Sequence, residues 1–198
     1  MTCIVGLIDP EKNVWMGADS MTSFEDDVYI SREPKIFQKE NILIGSCGRS
    51  LLGDVIDCFE PPNDKWVKDL KFGPLKYIRT VFMPEFKDLL EKENILEEEN
   101  NLKEIPNSEL LIGYRGRLFR ISTDLAVLEN TLPYEAIGGG GPYALGSLYS
   151  TDLEEIYKTN PHARAMTALM AAEQFNAFVR RPFVVLCLKN NGGVLDAM

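Results

Sequence analysis

Met1-Thr2-Cys3-Ile4-Val5-Gly6-Leu7 opens the chain, and the rest is read outward from it. A small β-branched hydroxyl residue stands directly before an apolar strand, with neither charged leader nor spacer. Removal of Met1 is expected, because a small second side chain suits methionine aminopeptidase. Thr2 would then carry a hydroxyl and a free α-amine on one residue. An α-amine has an unperturbed pKa of about 7.7–8.0 and can act as a general base near neutral pH. A threonine activated by its own amine is a recognised route to a covalent acyl intermediate. Many proteins begin Met-Thr without such chemistry, so Thr2 gains weight only from the residues placed around it.

The apolar runs Cys3 to Ile8 and Val14 to Ala18 are separated by Asp9-Pro10-Glu11-Lys12-Asn13. Pro and Asn between hydrophobic runs are turn chemistry, so a β-hairpin is expected whose second strand ends at Asp19. Hairpin geometry then brings Thr2 and Asp19 to the same end of paired strands. Residues 20–34 are polar and read as irregular. Lys35-Ile36-Phe37-Gln38 and Asn41-Ile42-Leu43-Ile44-Gly45 read as a second hairpin, left through the small-residue loop Ser46-Cys47-Gly48-Arg49-Ser50. Leu51, Leu52, Val55, Ile56 and Phe59 come next at helical spacing.

A second amphipathic helix is marked by Leu75, Ile78, Phe82, Phe86 and Leu89, with Pro84 as a kink or restart because it lacks an amide. The acidic run from Glu91 to Glu99 reads as a solvated surface segment. Leu110 to Tyr114 and Leu118 to Ile121 flank Arg115-Gly116-Arg117, a third hairpin, and Ala126-Val127-Leu128 extends the sheet. Gly138-Gly139-Gly140-Gly141 leads from a strand into a helix, which lets the backbone pass very close to something. A phosphate-binding loop is one alternative for these glycines, but the GxxxxGK[ST] lysine and the GxGxxG context are absent. Pro161 to Phe178 reads as a helix rich in Ala and Met, and Phe183 to Leu188 as a last strand before Asn190-Asn191-Gly192-Gly193. Strand pairs at both ends with helices between predict an α+β fold, two stacked antiparallel sheets covered by helix pairs.

At 198 residues, with 45% hydrophobic and 26% charged content, residues 1–198 fit a single globular domain with a full core. No internal repeat or linker divides it. Lys, Asp or Glu interrupts every apolar run before the roughly 18 residues a membrane span needs. No signal peptide is read at the N-terminus, so the expected location is cytoplasmic. Net charge is −9, from 21 Lys plus Arg against 30 Asp plus Glu, which disfavours nucleic acid and anionic membrane as partners. Cys3, Cys47, Cys58 and Cys187 form no CxxC pair, and with His162 as the single histidine no zinc-like ligand set is read. They read as buried thiols.

Four blocks in order, Met1 to Gly6, Gly17-Ala18-Asp19-Ser20, Pro34 to Phe37 with Ile44 to Gly48, and Ala136 to Gly146, resemble the proteasome β-subunit family and most closely its HslV branch. The resemblance implies the four-layer αββα sandwich of N-terminal nucleophile hydrolases. It puts the nucleophile on Thr2, the acidic partner on Asp19, the lysine on Lys35 and the oxyanion-binding N–H on Gly48. Ser20, Met21, Cys47 and Gly139 fall where substrate would lie. The activity implied is that of a threonine-type endopeptidase needing no metal or organic cofactor. Its implied partners are further copies of the chain in a ring, an AAA+ ATPase unfoldase, and unfolded polypeptide as substrate. The alternative is a structural ring subunit that does not cut. Two departures bear on this choice: Gly139 stands where the family often has serine, and Glu173-Gln174 lies where relatives carry an aspartate.

Overall fold

A computed structural model describes residues 2–24, 27–64, 73–99, 102–190 and 194–196. Met1, and with it the expected methionine removal, lies outside them, as do residues 191–193. In chain order the elements are β1 (Ile4–Ile8), β2 (Val14–Asp19), β3 (Met21–Phe24), β4 (Asp27–Ile30), β5 (Ile36–Lys39), β6 (Ile42–Cys47) and α1 (Ser50–Cys58). A short α2 (Pro74–Tyr77) runs through a π-helical turn, Ile78–Phe82, into α3 (Met83–Lys92). Next come β7 (Glu97–Glu99), β8 (Leu102–Glu104), β9 (Glu109–Tyr114), β10 (Arg117–Ile121), β11 (Val127–Leu128) and β12 (Tyr134–Ile137). The chain continues with α4 (Gly141–Thr151), α5 (Glu155–Lys158), α6 (Pro161–Phe175), β13 (Phe183–Leu188) and β14 (Val194–Asp196).

Two five-stranded antiparallel sheets organise the molecule, in the orders β12-β1-β2-β13-β14 and β11-β10-β9-β6-β5. The first hairpin has the expected register, Ile4 opposite Ala18 and Ile8 opposite Val14. Its turn is fixed by the Asp9 carboxylate, which accepts from the Asn13 backbone N–H at 2.8 Å and from Trp15 Nε1 at 3.0 Å. The second and third hairpins also form as expected, and β6 pairs with β9 to join them.

Three apolar clusters bind these elements. One runs between the sheets, where Ile4, Val14 and Met16 of the first meet Leu43, Leu111 and Leu118 of the second. Another packs α1 and α3 on the second sheet through Leu52, Ile56, Phe82 and Phe86. The last packs α4 and α6 on the first through Ala144, Leu148, Ala168 and Leu169. The sheets approach closely because glycine stands where side chains would collide. A Cβ on Gly45 would fall 2.6 Å from Ile4 Cγ2, and one on Gly113 would fall 2.5 Å from Val14 Cγ1.

Several expectations are corrected. Residues 20–34 are not irregular throughout, since β3 and β4 form a hairpin with Met21 opposite Ile30. Val28, Tyr29 and Ile30 are all exposed, so β4 has no buried face to impress a period-two pattern on the sequence. The acidic run is exposed as expected at Glu97 and Glu98, yet it forms β7 against β8, where Glu98 faces Lys103. The break near Pro84 is the preceding π-helical turn, which accommodates a residue without an amide. The last helix ends at Phe175, because Asn176 is already extended. Cys58 is exposed, while Cys3, Cys47 and Cys187 are buried as expected.

Candidate active site

The end of the first hairpin builds the site. Asp19 closes β2 at 2% exposure, and its carboxylate gathers four donors. Oδ1 accepts from the Cys3 N–H at 3.0 Å and from Lys35 Nζ at 3.0 Å. Oδ2 accepts from the Met21 N–H at 3.1 Å and the Arg180 N–H at 3.4 Å. Burying a carboxylate costs several kcal/mol unless donors replace its water, and here three backbone amides and one ammonium do so. Asp19 thereby ties Thr2's neighbour, the start of β3, the segment before β13 and Lys35 into one unit.

Lys35 reaches Asp19 from the loop before β5, and its ammonium also donates to the Met21 carbonyl. Burial lowers its pKa below the ordinary lysine value, with the Asp19 charge and hydrogen bond opposing that shift. Thr2 is 7% exposed and is held by its backbone: its carbonyl accepts from the Gly140 N–H at 3.1 Å. The glycine run therefore passes close to the chain's own first residues. A Cβ on Gly138 would sit 2.3 Å from the Thr2 carbonyl oxygen, and one on Gly140 would sit 2.6 Å from Cys3 Cβ. Gly138 also has φ +83°, a conformation costly for other residues. Gly138→Ala is expected to destabilise the fold by about 1–3 kcal/mol. Chemical denaturation checks this, and an unchanged midpoint would refute the tight fit.

Thr2, Met21, Lys35, Cys47 and Gly48 line one cleft of about 200 Å³. Gly48 is exposed there at φ +112°, packed so closely on Asn107 and Ser108 that a Cβ would lie 2.3 Å from Ser108 Oγ. Burial pushes the Cys3 thiol up to about 12 and the Cys47 thiol up to about 11, so neither is a thiolate nucleophile at neutral pH. Ser20 and Gly139 are not among the residues lining this cleft. The Ser20 carbonyl accepts from the Ser31 N–H, and the Gly139 carbonyl accepts from Asn176 Nδ2 at 2.8 Å.

Asn176 and Glu109 bear on the site and had no signal in the sequence. Asn176, at the C-terminal end of α6, fastens the glycine turn, while a Glu109 carboxylate oxygen lies 3.4 Å from the Gly138 N–H. Both contacts join residues about thirty or more positions apart, beyond any local pattern. Glu173, the carboxylate nearest the expected aspartate position, instead pairs with Arg181 at 2.6 Å.

No protein-family model matches the chain, and no curated protein sequence matches it. Solved structures do. BPH of Thiobacillus denitrificans in complex with epoxomicin is 19% identical with a TM-score of 0.71, covering 98% of this chain and 99% of that one. HslV from Trypanosoma brucei is 18% identical with a TM-score of 0.68, covering 94% and 99%. An Anbu Gly-1 mutant from Hyphomicrobium is 15% identical with a TM-score of 0.68, covering 98% and 85%. These neighbours are proteasome-like N-terminal nucleophile hydrolases, and their fold is the fold of this chain.

Proposed function

We propose that this proteasome-like chain is a threonine-type endopeptidase subunit with Thr2 as nucleophile. The observation that carries the reading is Thr2 and Lys35 on one cleft, with Lys35 anchored by the buried Asp19 carboxylate. Thr2 Oγ attacks the peptide carbonyl as the Thr2 α-amine accepts its proton. The amine then returns that proton to the leaving nitrogen as the C–N bond breaks, giving a threonyl ester. Water hydrolyses the ester by the same proton path. Lys35 supplies positive potential that favours the alkoxide, and the Gly48 N–H donates to the developing oxyanion, a role where one donor is typically worth about 3 kcal/mol. Met21 and Cys47 form part of the substrate wall.

The three apolar clusters support the αββα sandwich, with residues 1–198 as one unit. The neighbours support a homo-oligomeric ring; its action in the cytoplasm on unfolded polypeptide, fed by an AAA+ ATPase, rests on the resemblance of the sequence blocks alone. Among the described residues, no helix is long and apolar enough to cross a membrane.

Intact mass tests the chemistry. The purified protein is expected to start at Thr2, lighter by one methionine, and to gain the mass of one epoxomicin per chain on incubation. A protein that retains Met1 and still cleaves unfolded polypeptide would rule out the Thr2 amine as base.

A further inference from the structure

The same cleft has a polarity of its own. One face of α1, Ser50, Gly53, Asp54 and Asp57 at i, i+3, i+4 and i+7, lines it, and Glu33 lines it from the loop between β4 and β5. Gly53 leaves that face bare: a Cβ there would lie in ordinary contact, 3.5 Å from Phe37 Cζ. The ring of Phe37 is thus an apolar floor, and carboxylates stand around it.

The cations on the cleft are already engaged. Lys35 pairs with the buried Asp19, and the Arg49 guanidinium pairs with Glu97. Lys39, outside the cleft lining, donates to the Asp57 carbonyl and lies 3.8 Å from its exposed carboxylate. Among the described residues, Glu33 and Asp54 have no ion-pair partner. An apolar floor beneath uncompensated carboxylates suits a side chain with a long methylene stem and a cationic head.

We infer that the cleft selects polypeptide with a lysine or arginine beside the bond that Thr2 attacks, with Asp54 and Glu33 as the specificity-determining carboxylates. The inference rests on the peptidase reading. Both carboxylates are exposed, so the preference is moderate and falls as salt screens it.

The test uses the full-length protein and three acetylated tripeptide aminomethylcoumarin amides that differ only in a final Arg, Leu or Glu. The Arg peptide is expected to exceed the Leu peptide in kcat/KM by about tenfold, the effect of two exposed ion pairs acting together. That ratio should fall several-fold in Asp54→Asn and in Glu33→Gln, and shrink as NaCl rises from about 50 to 500 mM. Because each readout is a ratio on one protein, partial misfolding lowers both rates and leaves it unchanged. Leu or Glu peptides cleaved as well as the Arg peptide, or a ratio preserved in both variants, would overturn the inference. An epoxomicin adduct without cleavage of the Arg peptide overturns it alone. Absence of both adduct and cleavage overturns the peptidase reading and the inference with it.

Discussion

Thr2→Ala is expected to lower peptide cleavage by more than about 10³-fold while leaving assembly intact, because it removes the nucleophile and little else. The backbone contacts that hold this residue, the Gly140 N–H on its carbonyl and Asp19 on the next amide, do not involve its side chain. Thr2→Ser should keep measurable turnover, since hydroxyl and amine survive together. One extra residue before Thr2 should silence the protein as fully as alanine does, because an acylated nitrogen cannot accept a proton. The pair of results distinguishes a peptidase from a ring subunit that does not cut. Peptide hydrolysis by Thr2→Ala within about tenfold of wild type would exclude Thr2 as nucleophile.

Lys35→Ala is expected to lower kcat by about 10²–10³-fold, the typical worth of one preorganised charge or donor facing a developing oxyanion. Asp19 would keep its three backbone donors, so the variant should fold, with a lower melting temperature from the unpaired buried charge. Protonated lysine is the active form in the proposed mechanism, and burial holds its pKa below the ordinary value. The alkaline limb of the rate profile should therefore begin below pH 10.5, the ordinary lysine value. Lys35→Ala activity within about threefold of wild type would remove the lysine from the mechanism.

The local part of the site was legible in the sequence because local rules make it. Turn residues at Asp9 to Asn13 put Thr2 beside Asp19, and the two apolar runs of β5 and β6 placed Lys35 and Gly48 at one end of the second hairpin. What the sequence hid is held by distant contacts. Nothing near Asn176 announces that its amide fastens Gly139, and β4, exposed along its whole length, has no buried face to betray it. The glycine run was recognised as a place of close approach, but its neighbour was not identifiable from the chain alone. That neighbour is Thr2 itself, whose carbonyl occupies the space over Gly138.

Gly45 lies between the sheets, away from any reacting atom, three residues before Gly48 on β6 and against Ile4, two residues after Thr2 on β1. β1 begins two residues after Thr2 and β6 ends one residue before Gly48, so the separation of the two strands at that point bears on how far apart those two residues stand. An oxyanion donor works only within a few tenths of an ångström of its proper distance. The missing side chain at Gly45 is thus a gauge block: the thickness of the interior, set by one hydrogen atom, bears on the gap between the proposed nucleophile and the proposed oxyanion donor.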